Sequence, residues 1–480
     1  MEGGSGFIER KKYILDVERR QFIGGRHNLS EKEIRANEII LREKRFELNA
    51  AYKDPDGFLP VKHFFMAKQH IDKSKVFGII RKLPKGASLH THFLAGVDTG
   101  FIIKNITYER NIHGRIWNDI FKLKFISNPS FEWKSLEQYR REDANFDIWL
   151  KQQLDLEAEN PAVVYPNAGM VWERLKKTFS TKYDMVSYKP IFKTYIHQFL
   201  KELYLDNVMY AEIKGTIQKL YDLDGNECSN VDFFKMFMES INEFKKDHPK
   251  FIGARYIHSI YRGVTTEVMK ASLKEIVEMK QLFPDFIAGF DFVGHEEEGN
   301  SIEYYRDSIQ EATKHLKFFV HAGESNWYGH TDLNMIDAAL LNASRIGHAF
   351  GLSKHPLLAE MIKEGNIAIE LCPISNQILM LNQDPRNHPV IPLLARDFPV
   401  VICNDDPSLW GAAGLSYDWY VVFMAMTPEG AGLEVLKQFA INSIRYSAME
   451  DGLKKEAFEK WEKYWDEFLD DIILSDSESM

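Results

Sequence analysis

Histidine and carboxylate side chains that follow short apolar runs are the residues of this 480-residue chain best suited to chemistry. His90 and His92 lie in the segment KGASLHTHF. Alternate residues of a strand point to the same side, so both imidazoles can reach one metal ion. The alternative is two unrelated histidines at the end of a strand, and the pair alone does not decide between these interpretations.

Two later histidines follow further apolar runs. His321 opens HAGES, where Gly323 permits a tight turn, and a helix beginning there would direct Glu324 towards the mouth of a barrel. The alternative for Glu324 is a carboxylate that only stabilises a helix N-terminus. His348, in RIGHAF, could be an ordinary core histidine, but its position at another strand end favours a role in the same site.

Asp405 and Asp406 come directly after the apolar run PVVICN. Two adjacent carboxylates at the end of a buried strand are costly unless they are paired or bind a metal. With the histidines, they suit a mononuclear zinc site that keeps one position open for water. The segment GFDFVG offers no lysine to bridge a second metal, and the H-x-E and P-C-x-x-C signature of the zinc enzymes that deaminate nucleobases is absent, which excludes that class.

These residues need a scaffold that brings strand ends together. Eight short apolar runs alternate with amphipathic stretches, at residues 86–91, 207–213, 251–260, 286–293, 316–321, 345–349, 367–373 and 399–404. Such alternation predicts an α/β fold with a parallel sheet, and eight units predict a closed (β/α)8 TIM barrel. Catalytic residues of such barrels lie at the C-terminal ends of the strands.

The domain organisation follows from spacing. Residues 1–75 have apolar residues at helical intervals and are predicted to form an N-terminal helical extension, whereas residues 76–475 form the barrel. More than 110 residues separate the first two runs, too many for one crossover helix. An inserted subdomain is therefore predicted after the first strand, at about 110–160, followed by helices over 160–205.

Composition excludes several classes of protein. The chain has 60 Lys and Arg against 70 Asp and Glu, and the net charge of −10 argues against a nucleic-acid partner. Apolar residues make up 45% of the chain, so it can bury a large core. No uncharged apolar run of about 18 residues exists to span a membrane, and no secretory signal segment is visible at the start. Three cysteines cannot build a disulfide framework.

The motifs HTH, HAGE, RIGHAF and NDDP, in this order and spacing, resemble the adenosine deaminase superfamily. The strings FDFVGHEE, IELCPISNQIL, RNHPV and GLSYDWY are similar to the adenosine deaminase-related growth factors, or type-2 adenosine deaminases, and the resemblance covers about residues 10–470. It implies one zinc ion per chain on His90, His92, His321 and Asp405. It also implies that Glu324 handles the proton at purine N1, that His348 orients the water, and that Asp406 faces purine N7. The substrate-binding residues it implies are Gly294, Trp172, Glu212 and His295.

The same resemblance implies zinc-dependent hydrolysis of adenosine or 2′-deoxyadenosine to inosine and ammonia. It further implies a homodimer formed through the N-terminal helices and an extracellular location, although the absence of a signal segment in the chain as given leaves a cytoplasmic location open.

One departure from the family pattern concerns the substrate. An aspartate that binds the 5′ side of the ribose is replaced here by Phe93 or Leu94. An apolar Phe93 suits a 5′-deoxy or 5′-thioether group better than a hydroxyl, so deamination of 5′-deoxy- or 5′-methylthioadenosine is the second hypothesis. The third hypothesis is a catalytically weak, growth-factor-like signalling protein. The intact set of metal-binding and proton-transfer residues argues against it.

Overall fold

The structure is a computed structural model that describes residues 3–479. The first two residues of the predicted 1–75 extension and Met480 lie outside the described residues. The strands, in chain order, are β1 (Gly86–His92), β2 (Ile112–Trp117), β3 (Ile120–Phe125), β4 (Lys134–Ser135), β5 (Val208–Gly215), β6 (Gly253–Tyr261), β7 (Ile287–Val293), β8 (Lys317–Ala322), β9 (Arg345–His348), β10 (Ala368–Leu371) and β11 (Val400–Ile402).

Eight of these strands form a parallel barrel. β1 and β5 to β11 lie side by side in sequence order, and each neighbouring pair is parallel. The ring closes between its first and last members, because Thr91 forms a parallel bridge with Asp405. The runs are apolar almost throughout because helices cover the outer face of such a sheet. The eight predicted strands and the (β/α)8 barrel are therefore confirmed.

Within the described residues, four α-helices precede the barrel: α1 (Gly3–Gln21), α2 (Glu31–Lys53), α3 (Phe64–Ile71) and α4 (Lys75–Lys82). α2 begins with a capping box, in which the Ser30 hydroxyl accepts from the Glu33 amide and the Glu33 carboxylate accepts from the Ser30 amide. The buried Lys44 ammonium donates to the hydroxyl of Thr427 and to the Pro428 carbonyl, which anchors α2 to the body of the protein. A domain boundary at residue 75 stays a prediction.

The segment between β1 and β5 contains a three-stranded antiparallel sheet, in the order β3, β2, β4. Its helices are α5 (Thr99–Phe101), α6 (Leu136–Glu142), α7 (Phe146–Leu154), α8 (Pro161–Val164), α9 (Ala168–Val186) and α10 (Lys189–Leu205). The predicted helices over 160–205 are present, and Trp172 lies near the start of α9. A subdomain with limits at about 110–160 stays a prediction.

The remaining helices surround the barrel and cover its last strands. They are α11 (Asn230–Asp247), α12 (Thr266–Leu282), α13 (Arg306–Ala312), α14 (Asn334–Leu340), α15 (Pro356–Glu364), α16 (Pro373–Ile378), α17 (Ile391–Leu394), α18 (Ser416–Val421), α19 (Leu433–Arg445) and α20 (Asp451–Ser479). No helix within residues 3–479 is both long enough and apolar enough to cross a membrane.

Candidate active site

The four predicted metal ligands lie together at the C-terminal end of the barrel. The Nε2 atoms of His90 and His92, both from β1, each lie 3.1 Å from Asp405 Oδ1. His321, at the end of β8, places its Nε2 3.3 Å from that of His92. The ligand atoms of His90, His321, Asp405 and the nearby His348 all lie within 4.8 Å of one another. This group can hold a metal ion.

The hydrogen bonds of two imidazoles point to a cation at the centre. His90 Nδ1 lies 2.7 Å from Glu370 Oε2, and His321 Nδ1 lies 3.0 Å from Asp291 Oδ1. An imidazole that donates its Nδ1 proton to a carboxylate keeps a lone pair at Nε2. The two Nε2 lone pairs thus converge on Asp405, itself an acceptor when ionised. Acceptors that face one another need a cation between them, so the residues present fit a metal.

The charge states agree with this interpretation. Burial lowers the pKa of His321 to about 4, which keeps that ligand neutral. Burial and Lys214 oppose protonation of His90, but Glu370 and Asp405 outweigh them and raise its pKa, so these carboxylates favour positive charge at Nε2, where a metal ion can take the place of a proton. Burial alone would raise the pKa of Asp405, yet its histidine neighbours hold it well below its usual range. The centre therefore combines an ionised carboxylate with a strong preference for positive charge.

A buried ionic network supports the ligands, and the sequence motifs do not predict it. The Lys214 ammonium lies 2.7 Å from Asp291 and 3.0 Å from Glu370, the two carboxylates that hold His321 and His90. Glu370 also pairs with Arg345 at 2.7 Å, and Arg345 pairs with Glu212 at 2.6 Å. The available signal was a charged residue inside an apolar run, as in MYAEIKG and FDFV.

The three predicted catalytic residues each direct an unpartnered atom into the site. Glu324 Oε1, His348 Nε2 and Asp406 Oδ1 are buried and have no hydrogen-bond partner among the described residues. Burial, reinforced by the charge of Asp405, raises the pKa of both Glu324 and Asp406 well above the usual range. Both are therefore carboxylic acids that can donate a proton to a ligand.

Residues 323–330 form an irregular loop and not the helix expected at HAGES. Glu296 explains the difference. Its carboxylate accepts from the Gly323 amide at 3.0 Å and from the Glu324 amide at 2.7 Å, and Asn334 donates to it at 2.8 Å. These side-chain bonds hold the backbone in a left-handed turn at Gly323, with φ 75°, and direct Glu324 into the site without a helix.

A cavity of about 280 Å³ opens above this cluster. Its lining residues are His92, Phe93, Leu94, Trp172, Leu175, Lys176, Phe179, Lys214, Gly215, Thr216, Gln218, Ser259, Tyr261, Val293, Gly294, His321, Glu324, Leu379, Asp405 and Asp406. It has the apolar walls and few convergent polar groups of a small-molecule site.

The predicted substrate-binding residues divide into three groups. Phe93, Trp172 and Gly294 line the cavity. His295 lies behind the wall and stacks on Trp172, with 4.8 Å between ring centroids. Glu212 does not line the cavity. Its carboxylate lies inside the barrel, where it accepts hydrogen bonds from Arg345 and from the amide of Ala448. Its predicted substrate-binding role is therefore corrected, because the carboxylate neutralises the buried Arg345 guanidinium.

The fold and site define a (β/α)8 barrel enzyme with a histidine–carboxylate centre at the C-terminal ends of its strands. Comparison with protein-family models places residues 147–464 in the adenosine deaminase model and residues 5–80 in the adenosine/AMP deaminase N-terminal model. The chain belongs to the adenosine deaminase family, and it is a deaminase that hydrolyses a C–N bond.

Individual proteins agree with this assignment. The chain is 38% identical to adenosine deaminase 2 of Homo sapiens, over 97% of this chain and 93% of that protein. It is 37% identical to adenosine deaminase of Lutzomyia longipalpis, with the same two coverages. Among solved structures, an N6-mAMP deaminase of Arabidopsis matches with a TM-score of 0.59 and 17% identity, over 80% of this chain and 99% of that one. The structural match supports the fold alone.

We predict that Asp291→Asn weakens metal binding by 10- to 100-fold, as is usual when the partner of a ligating histidine is changed. The amide cannot supply the negative charge that fixes the His321 Nδ1 proton and offsets Lys214. Affinity is measured with Zn²⁺ by competition against a chromogenic chelator, and the exposed Asp307→Asn is the matched control. Unchanged affinity in a folded Asp291→Asn protein would contradict the supporting role of Asp291.

Proposed function

We propose that this protein catalyses the zinc-dependent hydrolytic deamination of adenosine or 2′-deoxyadenosine to inosine and ammonia. One observation carries the proposal: the converging lone pairs of His90 and His321 lie next to Glu324, an unpartnered acid that lines the cavity. This arrangement combines a metal site with a proton donor, and the named relatives are adenosine deaminases.

His90, His92, His321 and Asp405 would hold one zinc ion, which favours nitrogen and oxygen ligands in a catalytic site. When bound, zinc lowers the pKa of a coordinated water and so supplies a nucleophile at neutral pH.

The proposed proton transfers belong to Glu324. Because its pKa is raised by burial, it is protonated when the substrate arrives and can donate to purine N1, which makes C6 more electrophilic. The carboxylate that remains can then accept the proton of the hydroxyl added at C6 and pass it to the amino group, which leaves as ammonia. His348 Nε2, 3.3 Å from Glu324 Oε1, lies where it can orient the attacking water.

The proposed purine contacts come from two further residues that line the cavity. Asp406, protonated because burial raises its pKa, can donate to N7, and the Gly294 amide can donate to N3. The apolar side chains of Trp172, Leu175 and Phe179 exclude water from the reacting atoms.

We predict that the zinc-loaded protein converts adenosine to inosine and that Glu324→Gln loses activity by on the order of 10²-fold or more. The amide keeps the shape of Glu324 but has no acidic proton to donate. Activity is followed by the change in ultraviolet absorbance, and zinc analysis should give about one ion per chain in both proteins.

The exposed Glu303→Gln serves as the matched control. If the zinc-loaded wild type does not deaminate adenosine, the proposed function is rejected. Near-normal kcat in Glu324→Gln would instead show that another residue protonates the ring.

A second candidate substrate class is favoured by the surroundings of Phe93. This side chain lines the cavity and packs against the rings of Tyr195 and Phe237, with centroids 5.1 and 5.2 Å away. It cannot accept a hydrogen bond from a 5′-hydroxyl. Burying such a hydroxyl unpaired costs roughly 1–3 kcal/mol. We infer that adenosines with a 5′-deoxy or 5′-thioether group compete well with adenosine.

We predict that kcat/KM for adenosine exceeds that for 5′-deoxyadenosine or 5′-methylthioadenosine by a small factor or not at all. Phe93→Asp should shift the preference towards adenosine, by about 5- to 150-fold if a full hydrogen bond is regained. Phe93→Leu is the control for loss of the ring. A hundredfold preference of the wild type for adenosine over its 5′-deoxy analogue would show that another residue binds the hydroxyl.

We also infer a homodimer in which α1 forms part of the interface. Phe7 and Ile14 lie seven positions apart on one face of this helix, as do Ile8 and Leu15, and all four side chains are exposed. A helix gains little stability from an apolar face left in water. The extracellular location implied by the resemblance stays a prediction.

We predict that light scattering finds a dimer at micromolar concentration and that Ile8→Asp combined with Leu15→Asp shifts it to monomer. The substituted carboxylates would have to be desolvated at the interface. Tyr13→Ser, at an exposed position on the opposite face of α1, should leave the dimer intact. A monomeric wild type, or a dimer unaffected by the double substitution, would contradict the proposed interface.

A further inference from the structure

A buried chain of hydrogen bonds runs from a backbone amide to the imidazole of His348. The Val390 amide lies 3.1 Å from His388 Nδ1, and His388 Nε2 lies 3.0 Å from Asn376 Oδ1. The amide nitrogen of Asn376 lies 3.2 Å from His348 Nδ1. The side chains of Asn376, His388 and His348 are all almost inaccessible to solvent.

The backbone amide at the far end fixes every proton in this chain. A backbone N–H can only donate, so His388 Nδ1 must accept, and the single ring proton of a neutral His388 must be on Nε2. The atom of Asn376 that receives this proton must be its oxygen, which leaves the amide NH2 to face His348. His348 Nδ1 must then accept, so its proton is on Nε2. The result does not depend on which way round the amide of Asn376 is drawn.

The surroundings keep both imidazoles neutral. Burial lowers the pKa of His388 to about 3, which keeps this imidazole neutral. A second ring proton on either residue would also place two donors against each other, at Val390 or at Asn376. The chain is therefore compatible with one arrangement of protons.

We propose that Asn376 and His388 are positioning residues that hold His348 as the tautomer protonated at Nε2. The inference rests on the proposed function, in which His348 faces the reacting atoms. His348 Nε2, 3.3 Å from Glu324 Oε1 and 3.8 Å from Asp405 Oδ2, is then a hydrogen-bond donor that can stabilise negative charge on an oxygen. It cannot accept a proton at that atom, so proton transfer is left to Glu324.

The tautomer can be read directly from the zinc-loaded protein labelled with ¹⁵N-histidine. Protonated and unprotonated ring nitrogens have well-separated ¹⁵N shifts, and the His348 signals are identified by their loss in His348→Gln. We expect an unprotonated Nδ1 and a protonated Nε2 in the wild type. A proton on Nδ1 of His348 would overturn the proposal.

Asn376→Asp is the first test variant, because a carboxylate can only accept at both ends. We expect the His348 proton to move to Nδ1 and kcat for adenosine to fall on the order of 10²-fold or more, as when a catalytic histidine is held in the wrong tautomer. KM and zinc content should change little. Retention of the Nε2 proton, or of wild-type kcat, would overturn the proposal.

A pair of variants at His388 separates positioning from core packing. His388→Ala removes the link to Val390 and frees the amide of Asn376 to turn, so both tautomers of His348 should be populated and kcat should fall. His388→Gln can still accept from Val390 and donate to Asn376, and it should restore the wild-type ¹⁵N pattern and most of the activity. Equal loss of activity in both variants, with an unchanged ¹⁵N pattern, would show a structural role only and overturn the proposal.

The ¹⁵N pattern tests the tautomer of His348 and the deamination assay tests the proposed function, so either can be contradicted without the other. A wild type with the expected tautomer that does not deaminate adenosine would reject the proposed function while leaving the tautomer assignment in place.

Discussion

A chain of alternating charges inside the barrel is the interaction on which the rest of the site depends. Glu212, Arg345, Glu370, Lys214 and Asp291 follow one another through ion pairs of 2.6 to 3.0 Å, and all are essentially inaccessible to solvent. Removing Arg345 would leave Glu212 as an unpaired buried charge, which is strongly destabilising. The two carboxylates at the active-site end also hold His90 and His321, so the orientation of the imidazoles is fixed by the same pairs that make the buried charges tolerable.

This network links closure of the barrel to formation of the site. Its members come from β5, β7, β9 and β10, and the histidines they hold come from β1 and β8. No single βα unit can therefore pair its own charges. Three carboxylates and two cations leave one net negative charge, to which the ionised Asp405 adds a second. A divalent cation held among the imidazoles would balance these charges.

The sequence predicts the barrel well because each strand is a short apolar run, and it predicts the strand-end residues because their types are unusual there. The sequence does not predict which side chains of different strands form ion pairs or hydrogen bonds with one another. The family resemblance implies a substrate-binding role for Glu212, but its side chain pairs with Arg345 inside the barrel. Strand periodicity could not have corrected this, because it gives the face of the sheet but not the depth within the barrel. The helix expected at Glu324 fails for a related reason, since the carboxylate of Glu296, 28 residues earlier, holds the turn instead. In both cases a long-range ionic or hydrogen-bonding partner overrides the local pattern.

Asp405 and Asp406 show how far neighbours, and not residue type, decide the chemistry. Both are buried aspartates adjacent in the sequence, yet the pKa of Asp405 is lowered and that of Asp406 is raised. Asp405 adopts a left-handed backbone, with φ 56°, and accepts from Ser375 while it faces the imidazoles; Asp406 Oδ1 has no partner among the described residues. Environments that separate the pKa values of neighbouring carboxyl groups give them different roles. One can serve as an anionic ligand and the other as a neutral donor only because the barrel places histidines beside the first and leaves the second facing an apolar cavity.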